Sequence, residues 1–189
     1  MDQPSAARPM RADARRNYAR IVECAREVFG EDGPEAPLDD IARRAAVGPG
    51  TLYRHFPNRE ALMEAVYRDS IERLSRRGYE LLETQSPADA FEQWMREQVA
   101  FVMDRRSLAT TLKALIDHDS EVFTLCRGLI NDAAAALLKS AQDAGVIRTD
   151  IEARDMLRLG HGIGAACEKT PEAAERLLGV TLDGLRVCR

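Results

Sequence analysis

Thr51, Tyr53, Arg54 and His55 fall within one short stretch, directly after Pro49 and Gly50. Hydroxyl, phenol, guanidinium and imidazole groups donate hydrogen bonds to phosphate oxygens, and a guanidinium can also grip guanine O6 and N7. Proline and glycine strip bulk from the start of a helix, where backbone N–H groups and the positive end of the dipole attract anions. Arg59, a little further on, can add another phosphate contact. This chemistry is contact with nucleic acid. Catalysis finds no support: no nucleophile is paired with a base, no glycine-rich phosphate loop is present, and no His, Cys or carboxylate set has metal-ligand spacing. No cofactor and no metal are expected. The duller reading of His55 is a half-buried structural histidine.

Such side chains need a small rigid scaffold, and the sequence around them supplies one. Tyr18, Ile21, Val22, Ala25, Val28 and Phe29 recur at helical spacing, and Gly30 offers a stop. After the loop "EDGPEAP", Leu38, Ile41, Ala42 and Ala45 give a shorter stripe with Asp39 and Asp40 in its first turn. The third helix begins after "AVG", with Leu52 and Phe56 four apart on one face. Those two must point into a three-helix core, which leaves Pro49, Gly50, Thr51, Tyr53, Arg54 and His55 on the other sides. Two short helices joined by a tight turn, the second presenting polar groups outward, form the helix-turn-helix pattern.

Net charge is -4, which alone argues against a polyanionic partner. Its distribution argues the other way. Residues 1–20 carry Arg8, Arg11, Arg15, Arg16 and Arg20 against Asp2 and Asp13, and residues 41–59 carry Arg43, Arg44, Arg54 and Arg59 against no acid. Most of the acids near these two blocks lie between them, in residues 21–40. One surface is therefore expected to face a polyanion. Cys24, Cys126, Cys167 and Cys188 are far apart and read as small core hydrophobes, without a disulfide framework. No apolar run reaches the roughly 18 residues of a membrane span, so a cytoplasmic protein without a membrane partner is expected.

The remaining chain reads as a longer helical array. Asn58 can cap a helix that carries Leu62, Val66, Tyr67, Ile71 and Leu74 towards Leu82 and bridges the two parts. Ser86 and Pro87 open another with Phe91, Trp94, Met95 and Val102 inside; "RSLATTLKALID" gives the next, then Glu121 to Ala144, Glu152 to Cys167, and Pro171 to Val187. The expectation is an all-α protein of about nine helices.

Residues 12–70 resemble the DNA-binding module of the tetracycline-repressor (TetR) family of bacterial transcriptional regulators. The matching residues are Ile21, Ala25, Phe29 and Gly30, the run "LDDIARRAAVG", and "GTLYRHFPNREALMEAV". The resemblance implies a homodimer whose paired modules enter successive major grooves of double-stranded DNA, with residues 71–189 forming a helical domain that dimerises and binds an effector. It places Thr51, Tyr53, His55 and Arg59 among phosphate contacts and Pro49, Gly50 and Arg54 among base-reading positions. The chain departs from the family pattern at Pro37, Leu38 and Asp39, and in the turn at Ala46 and Gly48, where the family commonly has glycine and serine.

These features predict a repressor that binds a palindromic operator and is released by a small molecule. The alternatives are an all-α small-molecule-binding protein or enzyme without specific DNA binding, and a nonspecific nucleoid-type binder. Leu177, Leu178, Leu182 and Leu185 make a stripe suited to a dimer interface of the last two helices. Phe91, Trp94, Met95 and Phe101 are more apolar surface than one stripe buries, so they are candidates for an effector cavity, to which His118 or His161 could add a polar group. An aromatic stripe is more often simply core. Gly160, Gly162 and Gly164 suggest close helix approach, a break, or space beside such a cavity. Because lysine is scarce and arginine is not concentrated among the aromatic positions in sequence, an apolar or aromatic effector is expected.

Overall fold

The computed structural model describes residues 7–115, 121–167 and 169–187. Eight helices occur among them: α1 (Ala7–Glu31), α2 (Leu38–Arg44), α3 (Pro49–His55), α4 (Arg59–Thr84), α5 (Pro87–Leu115), α6 (Glu121–Asp143), α7 (Ala153–Ala166) and α8 (Pro171–Leu185). The only β pairing among the described residues is an isolated antiparallel bridge between Ile147 and Arg186. The sequence suggests about nine helices because "RSLATTLKALID" reads as a separate element. No glycine or proline interrupts residues 88–115, so nothing breaks the backbone ladder, and α5 runs on to Leu115. None of the helices is long and apolar enough to cross a membrane.

Two hydrophobic cores organise the chain. In the first, Ile21, Val22, Ala25, Val28 and Phe29 of α1 meet Ile41 and Ala42 of α2, Leu52 of α3, Phe56, and Leu62, Met63 and Val66 of α4. The second gathers Leu74 and Leu81 of α4 with the inner faces of α5, α6, α7 and α8. Helix α4 serves both, and a second element also crosses: Phe123, at the start of α6, packs into the first core edge-on to Tyr67 at 5.5 Å.

Helix ends follow local chemistry. Helix α1 passes Gly30 and stops at Glu31, and the residue with positive φ in the following turn is Gly33 (83°). Asn58 caps α4 by accepting from the Ala61 N–H at 2.8 Å. Gly145 (φ 68°) ends α6: its N–H donates to the Gln142 carbonyl and that of Val146 to the Ala141 carbonyl, the paired bonds of a Schellman stop.

Helices α5 and α7 approach closely at two glycines. A Cβ at Gly164 would lie 2.7 Å from Val102 Cβ and 2.9 Å from the Val99 carbonyl oxygen, and one at Gly160 would overlap Gln98 Oε1. Gly162 meets nothing within 4 Å. Of the three readings open for these glycines, close helix approach accounts for Gly160 and Gly164.

Candidate DNA-binding interface

Helix α3 is short, and its burial is confined to one side. Leu52 and Phe56 are 1% and 3% exposed in the first core, while Pro49, Gly50, Tyr53 and Arg54 are exposed and Thr51 is half-buried. Gly48 precedes the helix in extended conformation and gives no side-chain cap; its carbonyl accepts from the Thr51 and Leu52 N–H groups at 2.9 and 3.2 Å. No hydrogen bond or ion pair among the described residues engages the side chains of Tyr53 or Arg54. A Cβ at Gly48 or Gly50 would meet no protein atom within 4 Å, so the fold itself does not demand glycine there. The helix start is therefore an open surface with its N–H groups outward.

His55 is half-buried, matching the duller reading as to burial. Its ring lies edge-on to Tyr18 and tilted to Phe56, each at a centroid distance of 6.2 Å. Arg68 of α4 donates from Nη2 to the Tyr18 hydroxyl at 2.8 Å, and Tyr18 packs on Phe56 at 5.1 Å. This column of side chains pins α3 to α1 and α4. Nothing in the sequence could show it, because Tyr18 and Arg68 are fifty residues apart. Arg59 likewise braces the module, since its Nη1 donates to the carbonyls of Pro34 and Ala36, both at 2.7 Å, tying the α1–α2 loop to the first turn of α4. Several other arginines of the module are paired within it, Arg43 with Asp40, Arg44 with Glu31 and Arg16 with Asp13.

The turn before α3 carries the module's one described non-glycine residue at positive φ, Ala46 at 51°. Its N–H donates to the Arg43 carbonyl and that of Val47 to the Ala42 carbonyl, so the turn is fully bonded despite the side chain.

The residues considered for an effector are not brought together in one cavity. Phe91, Trp94 and Met95 are packed in the second core at 1%, 0% and 0% exposure, and the Trp94 indole N–H donates to the Leu74 carbonyl at 3.0 Å. Phe91 also borders a small 190 Å³ hollow near Val146 and Leu182. Phe101 is half-buried beside a different cleft, His161 is exposed, and His118 lies outside the described residues.

For the expected dimer stripe, Leu178, Leu182 and Leu185 are buried within the chain's own second core, and only Leu177 of the four faces outward, at 46% exposure. The sequence shows an apolar stripe but not what covers it; α8 turns most of that stripe onto α5 and α7. The outward apolar row is a different one, Leu177 and Val180 on α8 with Leu159, Gly162 and Ala166 on α7.

Cys126 and Cys167 are buried and Cys24 is half-buried, in keeping with small core hydrophobes, while Cys188 lies outside the described residues. Burial pushes the Cys126 thiol up to about 11 and the Tyr67 phenol up to about 12. Among the described residues no group of three or more His, Cys, Asp or Glu is arranged to hold a metal.

Residues 21–66 match the family model of bacterial regulatory proteins of the tetR family, and residues 86–187 match that of the SbtR-like transcriptional regulator C-terminal domain. The regulator UidR of Escherichia coli (strain K12), an HTH-type transcriptional regulator, is 29% identical over 174 residues, covering 88% of this chain and 89% of that protein. A TetR transcriptional regulator of Streptomyces coelicolor has a solved structure that superposes with a TM-score of 0.80 at 39% identity, over 91% of this chain and 99% of that one. A TetR regulatory protein of Mycobacterium vanbaalenii superposes with a TM-score of 0.74 at 34% identity, over 95% and 100%. With both parts of the chain matched and the fold shared with a solved TetR regulator 39% identical to it, this protein belongs to the TetR family of helix-turn-helix transcriptional regulators.

Proposed function

We propose that the protein is a repressor that binds an inverted-repeat operator as a homodimer and is released by a small molecule. The observation that carries the DNA-binding part is the outer face of α3. Tyr53 and Arg54 are exposed, with no hydrogen-bond or ion-pair partner among the described residues, and the glycine-bearing helix start is open to close approach. Thr51, Tyr53 and His55 then donate to phosphates, Arg54 together with Pro49 and Gly50 meets base edges, and Arg59 combines a phosphate contact with its loop-bracing bonds. Residues 12–70 act as the reading module and 71–189 as the assembly and effector domain.

The outward row on α7 and α8 supports assembly. Leu159, Gly162 and Ala166 are spaced three and four apart, and Leu177, Val180 and Gly184 three and four, the spacing of a helix seam. Two copies related by a two-fold axis can cover these rows as a four-helix bundle. Two modules reading one face of B-DNA then require half-site centres about 34–36 Å apart, or a multiple of that turn.

The test is operator binding by alanine variants at several salt concentrations. Tyr53→Ala should weaken all duplexes alike and leave the salt slope unchanged, because a neutral phenol displaces no counterion, and His55→Ala should likewise weaken all duplexes alike, whereas Arg54→Ala should cost about 1–3 kcal/mol and relax one operator position. Unchanged affinity in all three variants would refute the assignment of α3.

A further inference from the structure

An open cleft of about 510 Å³ lies where α1, α4 and α5 meet, within the roughly 300–1,000 Å³ range of small-molecule sites. Three guanidiniums on successive faces of α4, Arg73, Arg76 and Arg77, stand on its wall, and Leu74, Ala100 and Phe101 supply an apolar floor. Arg73 bonds Asp69 at 2.7 Å and also Glu23 of α1, and Arg77 bonds Glu97 of α5 at 3.2 Å. Arg76 is exposed and has no ion pair or hydrogen bond among the described residues. Glu80, Glu97 and Asp104 also border the cleft, so a polyphosphate would meet repulsion; a single negative charge on a mainly apolar body fits.

We propose that this cleft binds a small amphipathic carboxylate, its charge on Arg76 and its apolar body over Leu74, Ala100 and Phe101. The sequence alone points to an apolar or aromatic effector rather than a highly charged one, because lysine is scarce and arginine is not concentrated among the aromatic positions. Folding brings Phe101 of α5 beside the arginines of α4. The occupant sits next to the Arg73–Glu23 pair, which ties α4 to α1 of the DNA-binding module. A carboxylate that draws the Arg73 guanidinium towards itself competes with Glu23, which Arg26 also holds, and so loosens that tie. Glu23 is well placed as the other end of the contest: bonds from Arg26 and Arg73 hold its carboxyl below the usual range. This regulatory step rests on the reading of the protein as a ligand-released repressor; the binding site itself does not.

The experiment titrates the full-length protein calorimetrically, at fixed ionic strength, with phenylacetate, cinnamate and 1-naphthoate and with the three matching carboxamides. At least one acid should bind once per chain, about two- to fivefold tighter than its amide, the worth of an ion pair to an exposed guanidinium. Arg76→Ala should abolish that preference while leaving amide binding as it was. No binding by any acid at millimolar concentration, or equal binding by the wild type and Arg76→Ala, would overturn the site. Operator binding is measured on the same preparations without acid. If the operator is bound and no acid is, the cleft proposal alone falls; if an acid binds and no operator is, the regulator reading falls and the site stands. Glu23→Gln should weaken operator binding without any acid present and reduce the further effect of the acid, and unchanged operator binding in that variant would overturn the proposed route from cleft to module.

Discussion

Replacing Ala46 by glycine should make the protein more stable, although it removes a side chain. Ala46 stands at φ 51°, where a Cβ crowds the following carbonyl at a cost of about 1–2 kcal/mol. Glycine takes that conformation freely and gives back about 0.5–1 kcal/mol through the greater freedom of its unfolded chain. Ala46 is exposed, so no cavity opens. The balance is a gain on the order of 0.5–1 kcal/mol, which raises the melting temperature by about 1–4 °C in a chain of this size. Ala45, one residue earlier, is the control: it has φ -74° and is 2% exposed in the first core. Ala45→Gly loses backbone rigidity and a buried methyl together, a destabilisation of roughly 1–2 kcal/mol. Scanning calorimetry of the two variants beside the parent gives both numbers. If Ala46→Gly melts at or below the parent, the strain argument for this turn is wrong.

Further outcomes follow from the packing. Gly164→Ala should destabilise by up to about 2 kcal/mol, because overpacking against Val102 and the Val99 carbonyl at about 1–3 kcal/mol exceeds the helix-propensity gain, whereas Gly162→Ala should not destabilise the monomer fold in chemical denaturation. Leu177→Glu or Val180→Glu should shift the protein towards monomer in analytical ultracentrifugation without lowering helicity, while Leu178→Glu should unfold it; a dimer that survives both surface changes would place the interface elsewhere. Stability should fall at alkaline pH. Cys126 and Tyr67 both have raised folded-state pKa values, so their contribution is intact below the ordinary values of 9.0 and 10.0 and is lost as pH climbs through about 11 and about 12. Denaturant melts across that window measure it, and a flat profile would contradict the burial of these two groups.

Much of the architecture was legible because periodicity reports which face of a helix is apolar. The stripe from Ile21 to Phe29, the Leu52 and Phe56 pair, the Asn58 cap and the Gly145 stop are local signals, and each appears where the spacing puts it. Periodicity does not report what covers a face. Leu178, Leu182 and Leu185 read as an interface stripe and are covered by their own chain, and Trp94, a cavity candidate that also reads as plain core, is sealed in the second core. Pairings over long sequence distance were invisible for the same reason: Arg68 with Tyr18, Arg59 with the carbonyls of Pro34 and Ala36, and the meeting of Phe101 with the arginines of α4. The polar set on α3 was the easiest part of the site to read, since a short helix with two inward apolar residues leaves its other side chains nowhere else to go.

Sequence-specific recognition through α3 comes down to one comparison of affinities. Duplexes selected by the protein from fragments of its source genome are titrated beside random duplexes of equal length, at the same salt concentrations. The selected set should carry an inverted repeat and bind about 10³-fold or more tighter than random sequence, with Arg54→Ala lowering that ratio. Equal affinity for selected and random duplexes would contradict it.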